Sequence, residues 1–409
     1  MQRGAEKVPP PQEKTMKSMQ WYVVEKRQMV AVFLFLIVAA VYGVGQPANG
    51  EQMQHFSNKV QVGAYYYPWY HAASDERKGQ WSHVMRLHLN PPQRPRCGLY
   101  DSADPNVIRD HIAQSMQAGL DFWAVSWWGP QSLTDNVFKD AVLKHPEAGK
   151  LKYAVLYEST GRLGSFSKPS YRNWISDLKY IKETYFNNPC YLTIDGRPVV
   201  FFYLSREYFR NKGQEALAQM RKEIPELYLI GDDVFFAGGA SEEYKPEWAA
   251  NFDAVTVYDV YGQSIGRYGN TQKAVEILAA NYRQAKQAAN SVGVGFVPTI
   301  APGYNDTAVR KGHPGRARYF ADADDCKEGE VFRQMIRKAA LPNADVRCGR
   351  IIMITSFNEW FEDSQIEATA GIQPETAADD SPDGKTYTGG SVYRDYGTLY
   401  LDILREEIK

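Results

Sequence analysis

The stretch VQVGAYYYP, residues 60–68, is a short apolar run rich in valine and tyrosine, and seven similar runs follow it along the chain. Each run is nearly continuous in apolar residues, a pattern typical of parallel strands that are buried on both faces. Amphipathic stretches typical of helices separate the runs, for example residues 104–119, 171–186 and 271–291. The later runs are GLDFWAVSWW (119–128), LKYAVLYE (151–158), PVVFFYL (198–204), LYLIGDD (227–233), FDAVTVYD (252–259), VGFVPTI (294–300) and GRIIMITSF (349–357).

Eight strands that alternate with helices predict an α/β fold, a single (β/α)8 TIM barrel, over residues 60–409. The competing architecture is an open doubly wound sheet. It has little support, because no glycine-rich phosphate-binding fingerprint follows any of the runs. We therefore predict one barrel domain.

The chain before residue 60 differs in composition from the rest. Residues 1–28 are polar and rich in lysine, arginine and proline, residues 29–45 are apolar and uncharged, and residues 46–59 form a short linker. The apolar segment falls between the length of a signal-peptide core and the roughly 20 residues that a membrane-spanning helix needs. We favour a cleaved export signal, which would place the protein in the periplasm, at the cell surface or outside the cell. Membrane anchoring through 29–45 is the alternative.

The composition excludes several classes of partner. Lysine and arginine number 47 against 48 acidic residues, with no basic stripe, so nucleic acid and anionic membrane surfaces are not expected partners. The four cysteines and seven histidines show no metal-ligand spacing, so we expect no metal and no other cofactor. Aromatic residues make up 13% of the chain, and besides filling a core they offer flat faces to sugar rings.

Candidate chemistry lies at the ends of the strands, because the C-terminal ends of TIM-barrel strands surround one mouth that carries the active site. The last run continues as IIMITSFNEWFEDSQIEA (351–368), which places Glu359 and Glu362 just after the strand. Glu158 ends the third run, and a buried strand seldom ends in a carboxylate for reasons of packing. Carboxylates and aromatics at one mouth are typical of a sugar-cleaving site, where two carboxylates divide the acid and base work.

Each of these features also has a purely structural interpretation. Tyrosines 65–67 could fill the barrel, and Trp127 and Trp128 must point to opposite faces of a strand, so at least one packs outward. Glu359 and Glu362 could be acids in a first helical turn, where they suit the helix N-terminus. Asp232 and Asp233 are interpreted as loop or cap residues.

The sequence around these positions resembles glycoside hydrolase family 99, the endo-α-mannosidases and endo-α-1,2-mannanases. The resemblance rests on GAYYYPWY (63–70), PGYNDTAVR (302–310) and NEWFEDSQIE (358–367), and it extends from about residue 60 to residue 405. It implies a TIM barrel that cleaves internal α-mannosidic linkages with retention and without a metal. The implied partner is α-mannan or a mannose-rich oligosaccharide, and no protein partner is implied.

The resemblance also implies residue roles. Glu359 would deprotonate the substrate's own 2-hydroxyl to form a 1,2-anhydro sugar, and Glu362 would protonate the leaving oxygen and then activate water. Such substrate-assisted routes are exceptions to the usual two-carboxylate scheme. Glu158 would bind hydroxyls of the sugar being cleaved, and Trp127 would meet the neighbouring sugar. The other implied substrate-binding residues are Tyr66, Tyr67, Tyr258, Tyr304, Arg310, Asn358 and Trp360.

The chain departs from the family pattern near the acid. Family members commonly read NEWHEG where this chain reads NEWFED, with Phe361 and Asp363. Phe361 lacks the hydrogen-bonding group of a histidine, and the insertion PPQRPRCGLY (91–100) could reshape the same subsite. Two alternatives therefore stay open: a hydrolase of the same fold with another α-glycan substrate, and a non-catalytic glycan-binding protein. The presence of both glutamates argues against the second alternative.

Overall fold

The computed structural model describes residues 59–76, 78–236, 241–325, 327–371 and 375–409. The predicted polar region, the apolar segment 29–45 and the linker as far as residue 58 lie outside the described residues. Export, anchoring and the domain boundary near residue 60 therefore stay predictions. The described chain belongs to one compact unit that spans His55–Lys409.

Parallel strands form a nearly closed barrel, which confirms the predicted TIM-barrel fold. Each strand pairs in parallel with the next, and the last pairs with the first. The seventh strand is interrupted at Pro298, which has no N–H to donate to a ladder, so one piece pairs with the sixth strand and the other with the eighth. The strands are β1 (Gln61–Tyr66), β2 (Phe122–Trp127), β3 (Lys152–Tyr157), β4 (Arg197–Phe202), β5 (Tyr228–Asp232), β6 (Ala254–Thr256), β7 (Gly295–Val297 and Thr299–Ile300) and β8 (Ile351–Ile354).

The helices begin and end at residues that suit those positions. The side chain of Asp104 caps the first helix by accepting a hydrogen bond from the N–H of Asn106, and Gly119 ends it at a φ of 79°. The helices are α1 (Pro105–Ala118), α2 (Leu133–Asn136, continued as a π-helix at Val137–Val142), α3 (Trp174–Ile181, continued at Lys182–Phe186), α4 (Gln214–Glu223), α5 (Gln272–Ser291), α6 (Glu330–Gln334, continued at Met335–Ala340) and α7 (Leu399–Glu407). One-turn helices lie at Ser159–Arg162, Ser205–Tyr208, Pro246–Ala249 and Gly266–Tyr268.

Two apolar layers form the core, one inside the barrel and one between the barrel and its helices. Successive residues of a strand point to opposite faces, so each strand contributes to both layers. In β1, Tyr65 belongs to the inner layer and Tyr66 to the outer layer, and Tyr67 directly after the strand is again on the inner side. This alternation decides which strand-end residues can reach the mouth.

Two further features bear on the predicted environment. Within the described ranges, no helix is both long and apolar enough to cross a membrane. Cys97, Cys190 and Cys348 are free thiols, and Cys326 lies outside the described residues.

Candidate active site

The turn after β8 brings Glu359 and Glu362 together at the mouth of the barrel. This turn is a short 3-10 helix, Trp360–Glu362, and the carboxylate of Glu359 accepts a hydrogen bond from the N–H of Phe361 at 2.9 Å. The N–H of Glu359 in turn donates to the hydroxyl of Ser356 at 2.7 Å. Glu359 is therefore held at both its backbone and its carboxylate, deep in the mouth.

Glu362 lines an open cavity of about 160 Å³ at this end of the barrel. Its side chain is 24% exposed, and its Oε1 lies 3.7 Å from the Nη1 of Arg310. The cavity thus presents a carboxyl and a guanidinium to any ligand. The other lining residues are Tyr203, Arg206, Tyr258, Asp259, Val260, Tyr261, Ala301, Tyr304, Thr355 and Ser364.

Burial governs the protonation of the two glutamates. It raises the pKa of Glu359 well above its ordinary value, and the negative charge of Glu362 adds to the rise. Burial also raises the pKa of Glu362 to about 7, against the opposing effect of the Arg310 guanidinium. Both shifts favour retention of a proton by the pair, which an acid and base pair requires.

A third carboxyl, Glu158, lies at the end of β3 and is only 4% exposed. The hydroxyl of Ser126 donates to its Oε1 at 2.7 Å, and the indole N–H of Trp128 donates to that same hydroxyl oxygen at 3.0 Å. Burial raises the pKa of Glu158 to about 8, the Ser126 bond opposes this rise, and the charge of Glu362 adds to it. A neutral Glu158 can both donate to and accept from sugar hydroxyls.

Asn358 ties the turn that carries the two glutamates to the end of β1. Its Oδ1 accepts the N–H of Tyr67 at 2.7 Å, and its Nδ2 donates to the carbonyl of Tyr67 at 3.0 Å. The hydroxyl of Tyr67 hydrogen-bonds the hydroxyl of Tyr258 across the mouth. On the β7 side, Tyr304 donates from its hydroxyl to Asp306 at 2.8 Å and lines the cavity beside Arg310. These predicted residues share one mouth with the glutamates, and their contacts with substrate stay predictions.

Three predicted substrate-binding residues have buried side chains and do not line the cavity beside Glu362, and their contacts with substrate stay predictions. Tyr66 points to the outer layer, where its ring stacks on Trp123 with centroids 4.1 Å apart. Trp127 is buried in the same layer and donates its indole N–H to Asp135 at 2.7 Å. Trp360 is buried beneath the turn and donates to Glu367 at 2.7 Å. Strand alternation explains the first two, since a strand buried on both faces gives no sequence signal for its inner side.

Trp128, the residue after Trp127, presents its ring at the mouth. It is 37% exposed, and its ring lies against Gly161, where an added Cβ would come within 2.6 Å of it. On its other side stands Trp69, with ring centroids 6.3 Å apart, and Trp69 stacks on Phe361 at 5.8 Å. An aromatic row therefore runs from the end of β2 to the turn that carries the two glutamates.

Tyr203 and Arg206 are among the cavity residues that the sequence analysis missed. Tyr203 directly follows β4, so the strand-end rule could have found it. Arg206 lies in a one-turn helix and pairs with Asp232 at 2.9 Å, and only the fold shows that it reaches the cavity. Asp232 also accepts hydrogen bonds from the N–H groups of Leu204 and Tyr258, as a capping residue does. Among the described residues, no group of three or more histidine, cysteine, aspartate or glutamate side chains is arranged to hold a metal ion.

Comparisons with known proteins agree with this geometry. The sequence profile of glycosyl hydrolase family 99 matches residues 35–380. The mouse glycoprotein endo-alpha-1,2-mannosidase is 25% identical over 379 residues, which cover 84% of this chain and 73% of that protein. The human glycoprotein endo-alpha-1,2-mannosidase-like protein is 25% identical over 355 residues, which cover 78% and 70%.

A solved structure shares the barrel fold. The GH99 endo-alpha-mannosidase from Bacteroides thetaiotaomicron in complex with bis-tris-propane superimposes with a TM-score of 0.60 at 22% identity, over 85% of this chain and 96% of that chain. The family resemblance of the sequence motifs is thereby confirmed, and the profile match extends over most of the chain. The chain belongs to glycosyl hydrolase family 99 and is a glycoside hydrolase.

Proposed function

We propose that this enzyme is a retaining, endo-acting α-mannosidase that cleaves internal α-1,2-type linkages in mannan or mannose-rich glycans. The observation that carries the proposal is the placement of Glu359 and Glu362 in one turn at the mouth of a family 99 barrel. The mannosidase names of the mouse and human relatives support the substrate class.

Endo action is supported by the surfaces on the two sides of the glutamates. Trp128 and Glu158 lie on the β2 and β3 side, and Tyr304 and Arg310 lie on the β7 side. A chain bound across Glu362 would have sugars on both sides of the cleaved bond, which is the requirement for cutting an internal linkage.

The proposed chemistry uses the substrate's own 2-hydroxyl. In an α-mannoside this axial hydroxyl lies trans to the leaving group at C1, so its oxygen can attack C1 from the back. Glu359 takes the hydroxyl proton as the C–O bond forms, and Glu362 gives its proton to the leaving oxygen as the glycosidic bond breaks. Glu362 then takes a proton from water, which attacks C1 of the 1,2-anhydro sugar, and Glu359 returns its proton to O2. Two displacements at C1 give net retention.

The route needs Glu359 ionised and Glu362 protonated at the moment of bond cleavage, and substrate binding favours that arrangement. In the free enzyme burial keeps the pKa of Glu359 high. A sugar hydroxyl that donates to its carboxylate stabilises the charged form and lowers that pKa. A sugar that covers the exposed part of Glu362 removes water from it and raises its pKa. Binding therefore shifts the shared proton towards Glu362.

Product masses test the substrate class and the endo action. The test substrate is a manno-oligosaccharide in which the mannose to be cleaved is α-1,2-linked to the leaving sugar and carries its other neighbour at O3, so that its 2-hydroxyl is free. The full-length protein is incubated with this oligosaccharide and with α-mannan, and we expect disaccharides or larger fragments. Glu359→Gln and Glu362→Gln should each abolish release. Release of single mannose units alone would contradict endo action. Cleavage of another α-glycan with no cleavage of any mannoside would favour the alternative substrate class.

A 2-deoxy substrate tests the participation of the 2-hydroxyl. An oligosaccharide that lacks this hydroxyl on the sugar being cleaved should bind and compete with the parent substrate but should not turn over. Turnover of the 2-deoxy compound at a rate comparable with the parent would show that another nucleophile attacks C1.

We also propose that the protein is exported through residues 29–45, on the basis of their apolar, uncharged sequence. Mass analysis of the mature N-terminus after expression in the native host tests this proposal. Cleavage close to residue 45 is the expected result, and a full-length chain found in the membrane fraction would show an anchor instead.

A further inference from the structure

Asp363, the residue that follows Glu362, is held by two buried arginines. Its Oδ1 accepts from the Nη2 of Arg318 at 3.0 Å, and its Oδ2 lies 3.5 Å from the Nη2 of Arg86. Arg318 also donates to the backbone carbonyl of Asp363 at 2.8 Å and to that of Gln365 at 2.9 Å. All three charged side chains are almost completely buried.

The two arginines reach Asp363 from distant parts of the fold. Arg86 lies in the 3-10 turn Met85–His88 after β1, and Arg318 lies in the connection after β7. Their guanidinium groups lie over tyrosine rings of the C-terminal segment, with distances to the ring centroids of 4.8–5.5 Å. The rings belong to Tyr393, Tyr396 and Tyr400. Cations packed on aromatic faces and paired with a buried carboxylate have little freedom to move.

The conformation of Asp363 itself shows why a fixed partner is needed there. Its φ is 48°, in the left-handed region, which residues other than glycine seldom adopt. The chain turns sharply at this residue, immediately after the acid. The arginines therefore hold a turn that the backbone alone would disfavour.

Glu362 depends on this backbone for its direction. Its own carbonyl accepts the N–H of Asn305 at 2.7 Å, and the next residue is held by the arginines, so its backbone is fixed on both sides. Its carboxyl is partly exposed and lies 3.7 Å from Arg310, a loose contact. Backbone placement rather than side-chain contacts sets where the carboxyl points.

We propose that Asp363, clamped by Arg86 and Arg318, is a positioning residue that aims the carboxyl of Glu362 at the leaving oxygen. The inference rests on the proposed function, in which Glu362 is the acid. It predicts a defect specific to leaving-group protonation, because the clamp touches neither Glu359 nor Glu158.

Two substrates with different leaving groups test the proposal. The first is a manno-oligosaccharide with a free 2-hydroxyl on the mannose that is α-1,2-linked to the leaving sugar, and this leaving sugar needs a proton. The second is a 2,4-dinitrophenyl manno-oligosaccharide glycoside with the same free hydroxyl, whose leaving group needs none. In the full-length Asp363→Asn variant, kcat/KM for the first substrate should fall about 10- to 100-fold, the loss expected from a misplacement near 1 Å. For the second substrate it should stay within about threefold, since proton transfer contributes little there.

Asp253→Asn is the matched control. Asp253 also pairs with two arginines, Arg197 at 2.7 Å and Arg221 at 2.8 Å, but it lies just before β6, at the end of the barrel opposite the mouth. Its variant should retain parent activity on both substrates. If Asp363→Asn does not fold, as judged by circular dichroism, Arg318→Lys keeps the charge but loses the two-pronged geometry and should show the same substrate-dependent loss.

The activities on the two substrates distinguish a positioning role of the clamp from a structural role. Equal losses on the two substrates would show that the clamp is merely structural, and unchanged activity on both would show that it does not position the acid. A parent enzyme that cleaves neither substrate would overturn the proposed function rather than this inference.

Discussion

The buried carboxyl of Glu158 should make the stability of the protein fall as the pH rises, and Glu158→Gln should remove that dependence. The folded state holds a proton on Glu158 up to about pH 8, whereas the unfolded chain loses it near the ordinary value of 4.5. Between these pH values the folded state binds more protons than the unfolded state, so the free energy of unfolding decreases with pH. Glutamine keeps an acceptor for the Ser126 hydroxyl and has no proton to lose.

The size of the effect follows from the two pKa values. The interval from 4.5 to about 8 corresponds to about 5 kcal/mol at 1.36 kcal/mol per pH unit. Between pH 5 and pH 8 the unfolding free energy of the variant should rise by roughly 3.5 kcal/mol relative to the parent. For about 350 ordered residues this corresponds to roughly 5 °C in the relative melting temperature.

Differential scanning calorimetry of the parent and the variant at pH 5, 6, 7 and 8 measures this difference. Glu215→Gln, at an exposed position on α4, controls for the substitution itself. A difference in melting temperature between the Glu158→Gln variant and the parent that is the same at pH 5 and pH 8 would refute the reasoning. It would mean that Glu158 is not held neutral by burial.

Three further outcomes are expected at the mouth. Arg310→Gln should move the alkaline limb of the pH profile of kcat to higher pH by about one unit, because the guanidinium favours the charged form of Glu362. An alkaline limb at the same pH in the parent and the variant would contradict this expectation. Trp128→Ala should raise KM up to about tenfold with little change in melting temperature. Trp127→Phe should leave KM unchanged. It should lower the free energy of unfolding in chemical denaturation by about 1.5–3 kcal/mol, because it removes the buried hydrogen bond to the carboxylate of Asp135. A raised KM for Trp127→Phe with an unchanged KM for Trp128→Ala would instead indicate that Trp127 binds substrate. Gly161→Ala should raise KM as Trp128→Ala does, because its new methyl group would displace the Trp128 ring; an unchanged KM would show that this ring does not bind sugar.

The strands were predictable because a barrel strand is apolar on both faces, and eight such runs stand out in the sequence. The same property hid which residue of each strand faces inward. Tyr66 and Tyr67 were both assigned to the mouth, as was Trp127, although Tyr66 and Trp127 are buried in the outer layer and Tyr67 and Trp128 lie on the mouth side. When both faces are apolar, hydrophobicity carries no information about the phase of the alternation.

The turn that carries the two glutamates shows a different limit of prediction from sequence. Glu359 and Glu362 were found because they follow a strand end directly in sequence. The clamp on Asp363 was not found, since Arg86 lies 277 residues away and Arg318 lies 45 residues away. Ion pairs between loops leave no periodic pattern, so only the closed barrel shows that these side chains meet.

The stereochemistry of the first product tests the central claim most directly. Proton NMR during the cleavage of a manno-oligosaccharide with a free 2-hydroxyl on the mannose at the cleaved α-1,2 linkage, by the full-length protein, records which anomer forms before mutarotation mixes the two. Two successive displacements at C1, with Glu359 and Glu362 in the roles proposed, predict that the α-anomer appears first. Initial appearance of the β-anomer would show a single displacement by water and would contradict the route through the 1,2-anhydro sugar.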